Sequence, residues 1–414
     1  MKIETETNPI MLFVAHYSEV ALKGNNRPEF VRALRRGLNR SLAGLEHAVT
    51  YSDGRFIIEA AAEEKQVAER LSRVFGIAWF APVMILPAEY PKILDGVLAS
   101  STASVARTFR IAVRRADKAF PIGSQELGAM LGAEVIRASG KTVDLSHPDL
   151  SIHVDVVKGK ALVYSSKLKG PGGLPLGTAG RAMHLFSGGI DSPVAAWLLM
   201  KRGTKPVYLH FYLAPTPQVA VESKITRLVK VLSAYEGKST MVLVPFAEYQ
   251  IATTGVPGEL EPSLFRRFMR MTAERLSPGF NANAISTGDS LSQAASQTLW
   301  NIASFDEGSA LPILRPLLTY DKDEIISLAR HIGTYDLSLE EYKDCCAIIT
   351  RHPKTRVKAE EISKYVRRFG LQETVWRSVA KASLVTYNPA AESLKVSPLT
   401  EVLPNPEVPV RTAA

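Results

Sequence analysis

The sequence predicts an α/β domain built on a doubly wound parallel sheet, preceded by smaller α+β domains. The chain has 414 residues, which is too long for a single hydrophobic core of ordinary size. A Gly- and Pro-rich segment without apolar periodicity, KLKGPGGLPLGTAG, occupies residues 167–180 and is typical of a linker. After it, apolar strands alternate with helices, a pattern typical of a parallel sheet covered by helices on both faces.

The part before the linker divides into two α+β patterns. Strand, helix, hairpin and helix follow one another to about residue 75, the order of a ferredoxin-like domain, and we place its end at residue 62. A helix, a strongly alternating strand at 108–114, a helix at 124–139 and a hairpin at 151–165 follow. They predict a second domain over 63–168, with a linker at 169–180.

Composition limits the classes of protein. There are 50 Lys and Arg residues against 41 Asp and Glu, a net charge of +9, which suits a polyanionic partner such as nucleic acid. No apolar run approaches the ~18 residues that span a membrane, and the N-terminus lacks a secretory pattern. We therefore expect a cytoplasmic protein that does not enter membranes.

The segment MHLFSGGIDSPVAAWLLMKRG, residues 183–203, carries the strongest motif. An apolar strand leads into a loop at 187–191, and we expect a helix to begin at Pro193 with Asp191 or Ser192 as its N-cap. Loop amides, the hydroxyls of Ser187 and Ser192 and the helix dipole make an anion site. The spacing is neither that of a Walker A loop nor that of a dinucleotide fingerprint. An ordinary Gly-containing turn is the simpler alternative.

The motif SGGxDS at a strand-to-helix turn resembles the PP-loop of ATP pyrophosphatases. Those enzymes use ATP to adenylate a substrate oxygen and release pyrophosphate. The resemblance implies that a PP-loop ATP pyrophosphatase domain occupies residues 181–386.

A second polar segment, STGDSLSQAASQT at 286–298, follows another apolar strand. Ligands of doubly wound sheets bind at the carboxyl ends of the strands, so this segment, the loop at 187–192 and the strand end at His210 and Phe211 should surround one crevice. Helix capping alone would explain Asp289 or Ser290, but not the density of Gln293 and Gln297. Downstream, Asp321 and Glu324 predict a capping box at a helix start.

The only two cysteines of the sequence, Cys345 and Cys346, are adjacent. Two cysteines exclude a disulfide framework and a multi-cysteine metal site within this chain, and we assign no residues to a resident metal. Cysteines are often buried as small hydrophobes. Nearby Lys343, Arg351 and His352 would instead lower a thiol pKa, which favours reactivity.

Four motifs in order resemble the tRNA 4-thiouridine synthetases: YSEVALKGNNR at 17–27, RADKAFP at 115–121, and the two polar loops. The resemblance implies that the ferredoxin-like domain and a THUMP domain at 63–168 hold the acceptor end of tRNA.

Residues 375–414 are too short for a rhodanese domain, so we expect the short form of the family. In place of the family's Glu and Gly, this chain has Asp289 and Ser292, and Ser292 predicts that no positive φ is needed there.

The resemblance also assigns roles. Cys346 would carry persulfide sulfur, Cys345 would resolve it, Arg267 would join Arg266 at the nucleotide, and Mg²⁺ would neutralise phosphate charge. Sulfur would come from a cysteine desulfurase or another persulfide donor, and a homodimer stays open. The implied catalytic residues are Cys346, Cys345 and Asp191; the ATP-binding residues are Leu185, Phe186, Ser187, Gly188, Gly189, Asp191, Ser192, His210, Phe211, Arg266, Gly288 and Gln297; and the tRNA-binding residues are Lys23, Arg27, Arg110, Arg114, Arg115 and Lys118.

The predicted reaction is ATP-dependent thiolation of uridine at position eight of tRNA. Three alternatives remain: a PP-loop tRNA-modifying or amidotransferase-like enzyme that needs no cysteine, a non-catalytic THUMP RNA-binding protein, and sulfur supply to the thiazole of thiamine. The Pro-rich segment 387–414 has little apolar periodicity, and we expect a mobile tail.

Overall fold

A computed structural model describes residues 9–342, 345, 353–401 and 403. The chain divides into two compact units, Met1–Leu174 and Pro175–Ala414. No helix in the described ranges is long and apolar enough to cross a bilayer.

Residues 9–174 form two five-stranded sheets, with strand orders β10-β4-β1-β3-β2 and β5-β9-β8-β6-β7. The strands are β1 (Ile10–Tyr17), β2 (His47–Ser52), β3 (Arg55–Ala61), β4 (Ile77–Pro82), β5 (Met84–Pro87), β6 (Thr108–Arg115), β7 (Thr142–Val143), β8 (Leu150–Val157), β9 (Lys160–Tyr164) and β10 (Leu168–Lys169). The helices are α1 (Arg27–Ser41), α2 (Glu64–Leu71), α3 (Tyr90–Thr102) and α4 (Ser124–Ser139).

The boundary between these two modules lies later than residue 62. Strand β4 pairs antiparallel with β1, and Leu71 of α2 is buried in the same core as Phe13 and Leu34. The first module therefore extends to Pro82. Strand β10 then pairs with β4, so Lys169 belongs to the first sheet rather than to a linker. Both corrections arise from pairing between distant strands, which has no local signature.

The second unit contains the predicted parallel sheet, in the order β15-β14-β11-β12-β13-β16-β17. Its strands are β11 (Arg181–Leu185), β12 (Lys205–Tyr212), β13 (Ser239–Pro245), β14 (Ala284–Ser286), β15 (Ile313–Leu314), β16 (Ser383–Asn388) and β17 (Ser393–Pro398). The pairs from β15 to β13 are parallel, which confirms the predicted fold class. The helices are α5 (Asp191–Lys201), α6 (Pro217–Val221), α7 (Lys224–Glu236), α8 (Ala247–Ala252), α9 (Glu261–Leu276), α10 (Leu299–Asp306), α11 (Lys322–Ile332), α12 (Tyr335–Leu339), α13 (Ala359–Arg368) and α14 (Leu371–Ala380).

The start of the expected tail belongs to this sheet. Strand β16 pairs antiparallel with β13, and β17 pairs antiparallel with β16 at the sheet edge. Pro389 lies in the turn between them and Pro398 ends β17, positions where a missing N–H costs no ladder bond. Residues 383–398 therefore form a hairpin with Pro389 in its turn and Pro398 at its end, and residues 404–414 of the expected tail lie outside the described residues.

Candidate functional site

The loop after β11 is stabilised by its own hydroxyl groups. Ser192 Oγ accepts a hydrogen bond from the Ser187 amide at 3.0 Å and donates one to the Ser187 carbonyl at 2.9 Å. The Gly189 amide donates to Ser187 Oγ at 3.3 Å. Helix α5 begins at Asp191, with Ile190 in the N-cap position, so the predicted N-cap role of Asp191 or Ser192 was wrong. Ser192 instead closes the loop across its base.

Gly188 is closely packed against neighbouring side chains, whereas its φ is ordinary. A Cβ built at Gly188 would lie 2.8 Å from Lys224 Cε and 3.2 Å from Tyr342 Cδ1. Neither Gly188 nor Gly189 has a φ in the left-handed region. The turn itself is therefore accessible to other residues, but a side chain at 188 would have to displace the neighbouring Lys224 and Tyr342 side chains.

The two polar loops meet at backbone distance. A Cβ on Gly288, just after β14, would lie 2.9 Å from the Ser192 amide nitrogen and 3.1 Å from the Asp191 carbonyl carbon. Strand β14 is the parallel neighbour of β11, so their carboxyl ends open at one edge of the sheet. The structure thus brings the loop at 187–192 and the loop after Ser286 into one crevice.

Asp191 is held at the mouth of this crevice by partners from two other segments. Its Oδ1 accepts a hydrogen bond from Lys322 Nζ at 2.6 Å and its Oδ2 accepts one from Gln293 Nε2 at 2.9 Å. Lys322 is the first residue of α11, whose predicted capping box between Asp321 and Glu324 is confirmed. The Lys322 side chain is 42% exposed, so the pair orients Asp191 rather than contributing much stability.

Asp289 lies at the base of the crevice and is only 3% exposed. Its carboxylate accepts two bonds from Arg266, at 2.9 and 2.7 Å, and one from Arg315 Nε at 3.2 Å. Burial acts to raise the pKa of Asp289, but the guanidinium groups of Arg266 and Arg315 outweigh it and lower the pKa to about 2. Asp289 is therefore charged at neutral pH, and its oxygens fix the two arginines in place.

The prediction that Arg267 acts together with Arg266 is not supported by the structure. Arg267 is 5% exposed, and its Nε donates to the Ser304 carbonyl at 3.0 Å while its Nη2 donates to Glu307 at 2.7 Å. Successive residues of a helix point about 100° apart. Arg266 consequently faces Asp289, whereas Arg267 joins α9 to the end of α10.

Ser292 corrects another expectation, because its φ is +63°. Its amide donates to the Gln297 carbonyl at 3.0 Å, and the Gln297 amide donates to the Ala294 carbonyl at 2.8 Å. These bonds close a compact turn whose geometry keeps Ser292 left-handed despite its Cβ. The side-chain Oε1 of Gln297 is buried and lacks a hydrogen-bond partner among the described residues.

His184 is a site residue that the sequence reasoning missed. It is fully buried on β11, and its Nε2 donates to the Ser192 carbonyl at 2.9 Å, since a carbonyl can only accept. Its Nδ1 then accepts from Ser286 Oγ at 3.2 Å. Burial lowers the pKa of His184 to about 4, against the opposing effect of the Ser192 bond. The neutral ring links the loop to β14.

The carboxyl end of β12 brings one histidine side chain to the crevice. His210 Nδ1 donates to the Phe186 carbonyl at 2.8 Å, and its Nε2 accepts from the Tyr342 hydroxyl at 2.8 Å. Phe211 packs against Phe265, with ring centroids 5.5 Å apart. The side chains of Phe186 and Phe211 are both buried, and Leu185 is partly buried. The Phe186 amide donates to the Leu209 carbonyl at 2.9 Å, so both backbone polar groups of Phe186 are already hydrogen-bonded within the protein.

Cys345 lies beside this strand end, but its neighbour falls outside the described residues. Cys345 is 1% exposed and its Sγ–H donates to the Phe211 carbonyl at 3.3 Å. Its packing therefore matches the simpler interpretation of a buried small side chain. The roles of Cys346 and of the neighbouring cations remain predictions.

A separate cleft of about 350 Å³ in the first unit combines aromatic and basic groups. His16 stacks on Trp79 at 4.2 Å, Trp79 on Tyr164 at 5.6 Å, and Tyr164 on His153 at 5.0 Å between ring centroids. The ammonium group of Lys167 lies 4.8 Å above the Trp79 ring. Such a ladder offers flat surfaces for bases beside a positive charge, and the sequence reasoning did not identify it.

The structure distributes the predicted tRNA-binding residues over three places. Arg114 lines the cleft, and Arg110, on the same face of β6, donates to Ser151 Oγ at 2.9 Å. Arg115 points to the opposite face, where it donates to the Phe120 carbonyl, and Lys118 is exposed in the next loop. Lys23 and Arg27 lie at the start of α1, where Lys23 covers the Phe30 ring and Arg27 donates to the Ala21 carbonyl.

Family models match three parts of the chain. The ThiI ferredoxin-like domain matches residues 12–81, the THUMP domain residues 93–166, and the model described as thiamine biosynthesis protein (ThiI) residues 177–371. The first two ranges agree with a boundary after Pro82.

Relatives and solved structures agree with these matches. A probable tRNA sulfurtransferase of Moorella thermoacetica is 39% identical over 92% of this chain and 98% of its own length. One from a Geobacillus species is 38% identical over 88% and 92%. The crystal structure of a 4-thiouridine synthetase–RNA complex with bound ATP is 30% identical, with a TM-score of 0.82 over 94% of this chain and 99% of that one. PH1313 from Pyrococcus horikoshii, 24% identical with a TM-score of 0.60 over 78% of this chain and 99% of its own, shares the fold. The chain therefore belongs to the tRNA sulfurtransferase (ThiI) family.

Proposed function

We propose that this protein is an ATP-dependent tRNA sulfurtransferase that converts uridine at position eight of tRNA to 4-thiouridine. The observation that carries the proposal is the backbone contact between Gly288 and the Asp191–Ser192 segment, which builds one crevice from two strand-end loops. The similarity to a 4-thiouridine synthetase that binds ATP and RNA supports the same activity.

In this proposal, the loop at 187–192 binds the phosphates of ATP. Its amides and the start of α5 favour negative charge, and Arg266 supplies a guanidinium that Asp289 holds in position. Preorganised charges of this kind stabilise the transition state without reorganising during the reaction. Gln297 is assigned to the same nucleotide site, because its buried Oε1 can accept a bond from a ligand donor.

Mg²⁺ fits this site as a partner of the phosphates. The described residues contain no cluster of three or more His, Cys, Asp or Glu side chains that could hold a metal by themselves. Mg²⁺ commonly uses one or two carboxylates together with substrate phosphates, and Asp191 is the carboxylate at the loop. The ion would neutralise charge on the phosphates, while Lys322 and Gln293 keep Asp191 oriented.

The chemistry has two steps. Uridine O4 attacks the α-phosphate of ATP and pyrophosphate leaves, which converts O4 into part of a good leaving group. The terminal sulfur of a Cys346 persulfide then attacks C4 and AMP departs. A second thiol, Cys345 or an external one, attacks the Cys346 sulfur, so that a disulfide forms and the C4 sulfur is released as 4-thiouridine. Dividing the exchange into activation and displacement is the usual purpose of covalent catalysis.

Release by Cys345 would require a local movement. Its Sγ is buried and bonded to the Phe211 carbonyl, so the thiol must leave that contact before it can attack. A cysteine desulfurase or another persulfide donor would load Cys346, and an external thiol would reduce the disulfide.

The aromatic and basic cleft of the first unit is proposed to contact the RNA. Arg114 and Lys167 supply positive charge, while Trp79 and Tyr164 offer stacking surfaces. Phosphate contacts of this type give affinity that decreases with salt, whereas stacking is less sensitive to salt. Arg110, on the same face of β6 as Arg114, would extend this surface. Lys23, Arg27, Arg115 and Lys118 would add RNA contacts outside the cleft. A homodimer is compatible with this assignment and is testable by light scattering.

A second function is favoured by one observation. The family model over residues 177–371 is described as a thiamine biosynthesis protein, so the same persulfide could supply sulfur to the thiamine thiazole. Growth of a deletion strain without thiamine, restored by this chain, would test that role separately.

The test is incubation of the protein with unmodified tRNA, ATP, Mg²⁺ and a persulfide source. We expect tRNA-dependent formation of AMP and pyrophosphate, together with the near-ultraviolet absorbance of 4-thiouridine. Cys346→Ser should retain AMP formation but lose thiolation. Full thiolation by Cys346→Ser would contradict the sulfur assignment, and absence of tRNA-dependent AMP formation would contradict the activity.

A further inference from the structure

A cavity of about 570 Å³ lies in the second unit, away from the nucleotide crevice. It is bordered by the C-terminal half of α9, the segment after α10, and helices α13 and α14. Ala282, in its wall, precedes β14, whereas Gly288 follows that strand. The cavity therefore opens at the amino-terminal edge of the sheet, opposite the edge that the proposed function uses.

The wall is mostly apolar, with a few charged groups. Met271, Leu311, Val366, Val375 and Trp376 provide apolar surface, and the charged side chains come from three arginines and two glutamates. This size and composition are typical of sites for small organic molecules, which combine an apolar lining with few polar groups.

Four of the five charged groups are committed to one another. Arg267 pairs with Glu307 at 2.7 Å, and Arg270 pairs with Glu274 at 2.6 Å. Glu274 also accepts from Ser309 Oγ at 2.8 Å and from the Ala310 amide at 3.0 Å. These contacts leave one net positive charge in the lining, on Arg275.

Arg275 differs from the other two arginines. Its guanidinium lies over the Trp376 ring, with Cζ 4.0 Å from the centroid. Its Nε and Nη2 are buried and have no acceptor among the described residues, and burial lowers its pKa. Buried donors without acceptors are costly. Nε and Nη2 form one edge of the guanidinium, the fork that binds both oxygens of a carboxylate.

We propose that this cavity is a second ligand site, which binds a small organic carboxylate with a flat apolar body. The carboxylate would pair with the Arg275 guanidinium, whose buried Nε and Nη2 edge has to turn toward the cavity before it donates, while the body would contact Trp376, Val375 and Leu311. The Trp376 ring keeps the Arg275 guanidinium at the cavity wall. The proposal does not depend on the tRNA activity.

The test uses the full chain labelled with 5-fluorotryptophan and observed by ¹⁹F NMR. The chain has four tryptophans, and loss of one signal in Trp376→Phe assigns Trp376. Naphthalene-2-carboxylate should shift that signal saturably, and the neutral 2-naphthalenemethanol should bind about tenfold or more weakly, the usual advantage of a charge-assisted bidentate contact.

Arg275→Gln should weaken carboxylate binding by about the same factor. Arg368→Gln, an exposed arginine of α13 that does not line the cavity, is the matched control and should bind as the unmodified chain does. The other tryptophan signals report whether each variant is folded, and the comparison of acid with alcohol needs no variant. Equal affinity for acid and alcohol, undiminished binding by folded Arg275→Gln, or no saturable Trp376 shift would each overturn the proposal.

Discussion

Gly288→Ala is expected to separate the two loops that form the proposed ATP site. The new Cβ would lie 2.9 Å from the Ser192 amide nitrogen and 3.1 Å from Ser192 Cα, and a backbone neighbour cannot rotate away as a flexible side chain can. Overpacking of this kind costs about 1–3 kcal/mol. Since about 1.4 kcal/mol corresponds to tenfold in an equilibrium constant, we expect ATP to bind roughly 5–150 times more weakly.

The assay is ATP affinity by isothermal titration, together with kcat/KM for tRNA-dependent AMP formation. Displacement of a binding loop by about 1 Å can itself cost roughly 10²-fold in rate, so kcat/KM should decrease at least as much as affinity. Gly132→Ala is the matched control: this glycine lies within α4, has no neighbour within 4 Å of a new Cβ and has no left-handed φ. If Gly288→Ala keeps ATP affinity and kcat/KM within twofold of the unmodified protein, the close approach of the loops is not needed for function.

Three further predictions concern stability and RNA binding. The pKa of His184 is about 4 in the folded protein and 6.5 ordinarily, so below pH 6.5 the unfolded chain is protonated first. The free energy of unfolding should therefore fall by about 2 kcal/mol on going to pH 5. Urea denaturation of His184→Gln should not show this loss. Arg55→Met leaves Asp155 buried without the partner at 2.9 Å and should cost about 3–5 kcal/mol by denaturation. Trp79→Ala should weaken tRNA binding by about 1–3 kcal/mol with little change in salt dependence, whereas Arg114→Gln should reduce the salt slope by about 1.

A specific experimental result would contradict each of these three predictions. The same pH dependence in His184→Gln as in the unmodified chain would show that the buried ring does not govern acid sensitivity. An Arg55→Met variant within 1 kcal/mol of the unmodified protein would mean that Asp155 finds another partner. Unchanged tRNA affinity in Trp79→Ala would remove the aromatic ladder from the RNA surface.

Several features of the site were predictable because they depend on local rules. The strand–loop–helix order around Ser187–Ser192 follows from an apolar run, two glycines and the helix-forming segment after them. The capping box of Asp321 and Glu324 is a four-residue pattern, and it is present. The alternation of strands and helices after the linker predicted the parallel sheet for the same reason, since periodicity reports which face of each element is buried.

Other features depended on pairing across the chain. Asp191 and Lys322 are separated by 131 residues, so no local pattern indicates that one holds the other. Arg266 and Arg267 are equivalent in the sequence, yet helix geometry directs one to Asp289 and the other to Glu307. The left-handed φ of Ser292 was missed because a substitution of Gly usually signals an ordinary φ, whereas hydrogen bonds of the surrounding turn impose this one.

By itself, the sequence determined the fold class, the order of the motifs and the position of the glycine-containing loop at 187–192, because each follows from spacing, periodicity and turn chemistry. Only the tertiary structure decided where the first module ends, that β17 joins the sheet and that Cys345 is buried. It also decided that Arg266 of α9 faces Asp289 whereas Arg267 faces Glu307. Those outcomes depend on strand register and on side-chain packing between residues far apart in the sequence. These interactions form only in the folded chain, so no local pattern indicates them.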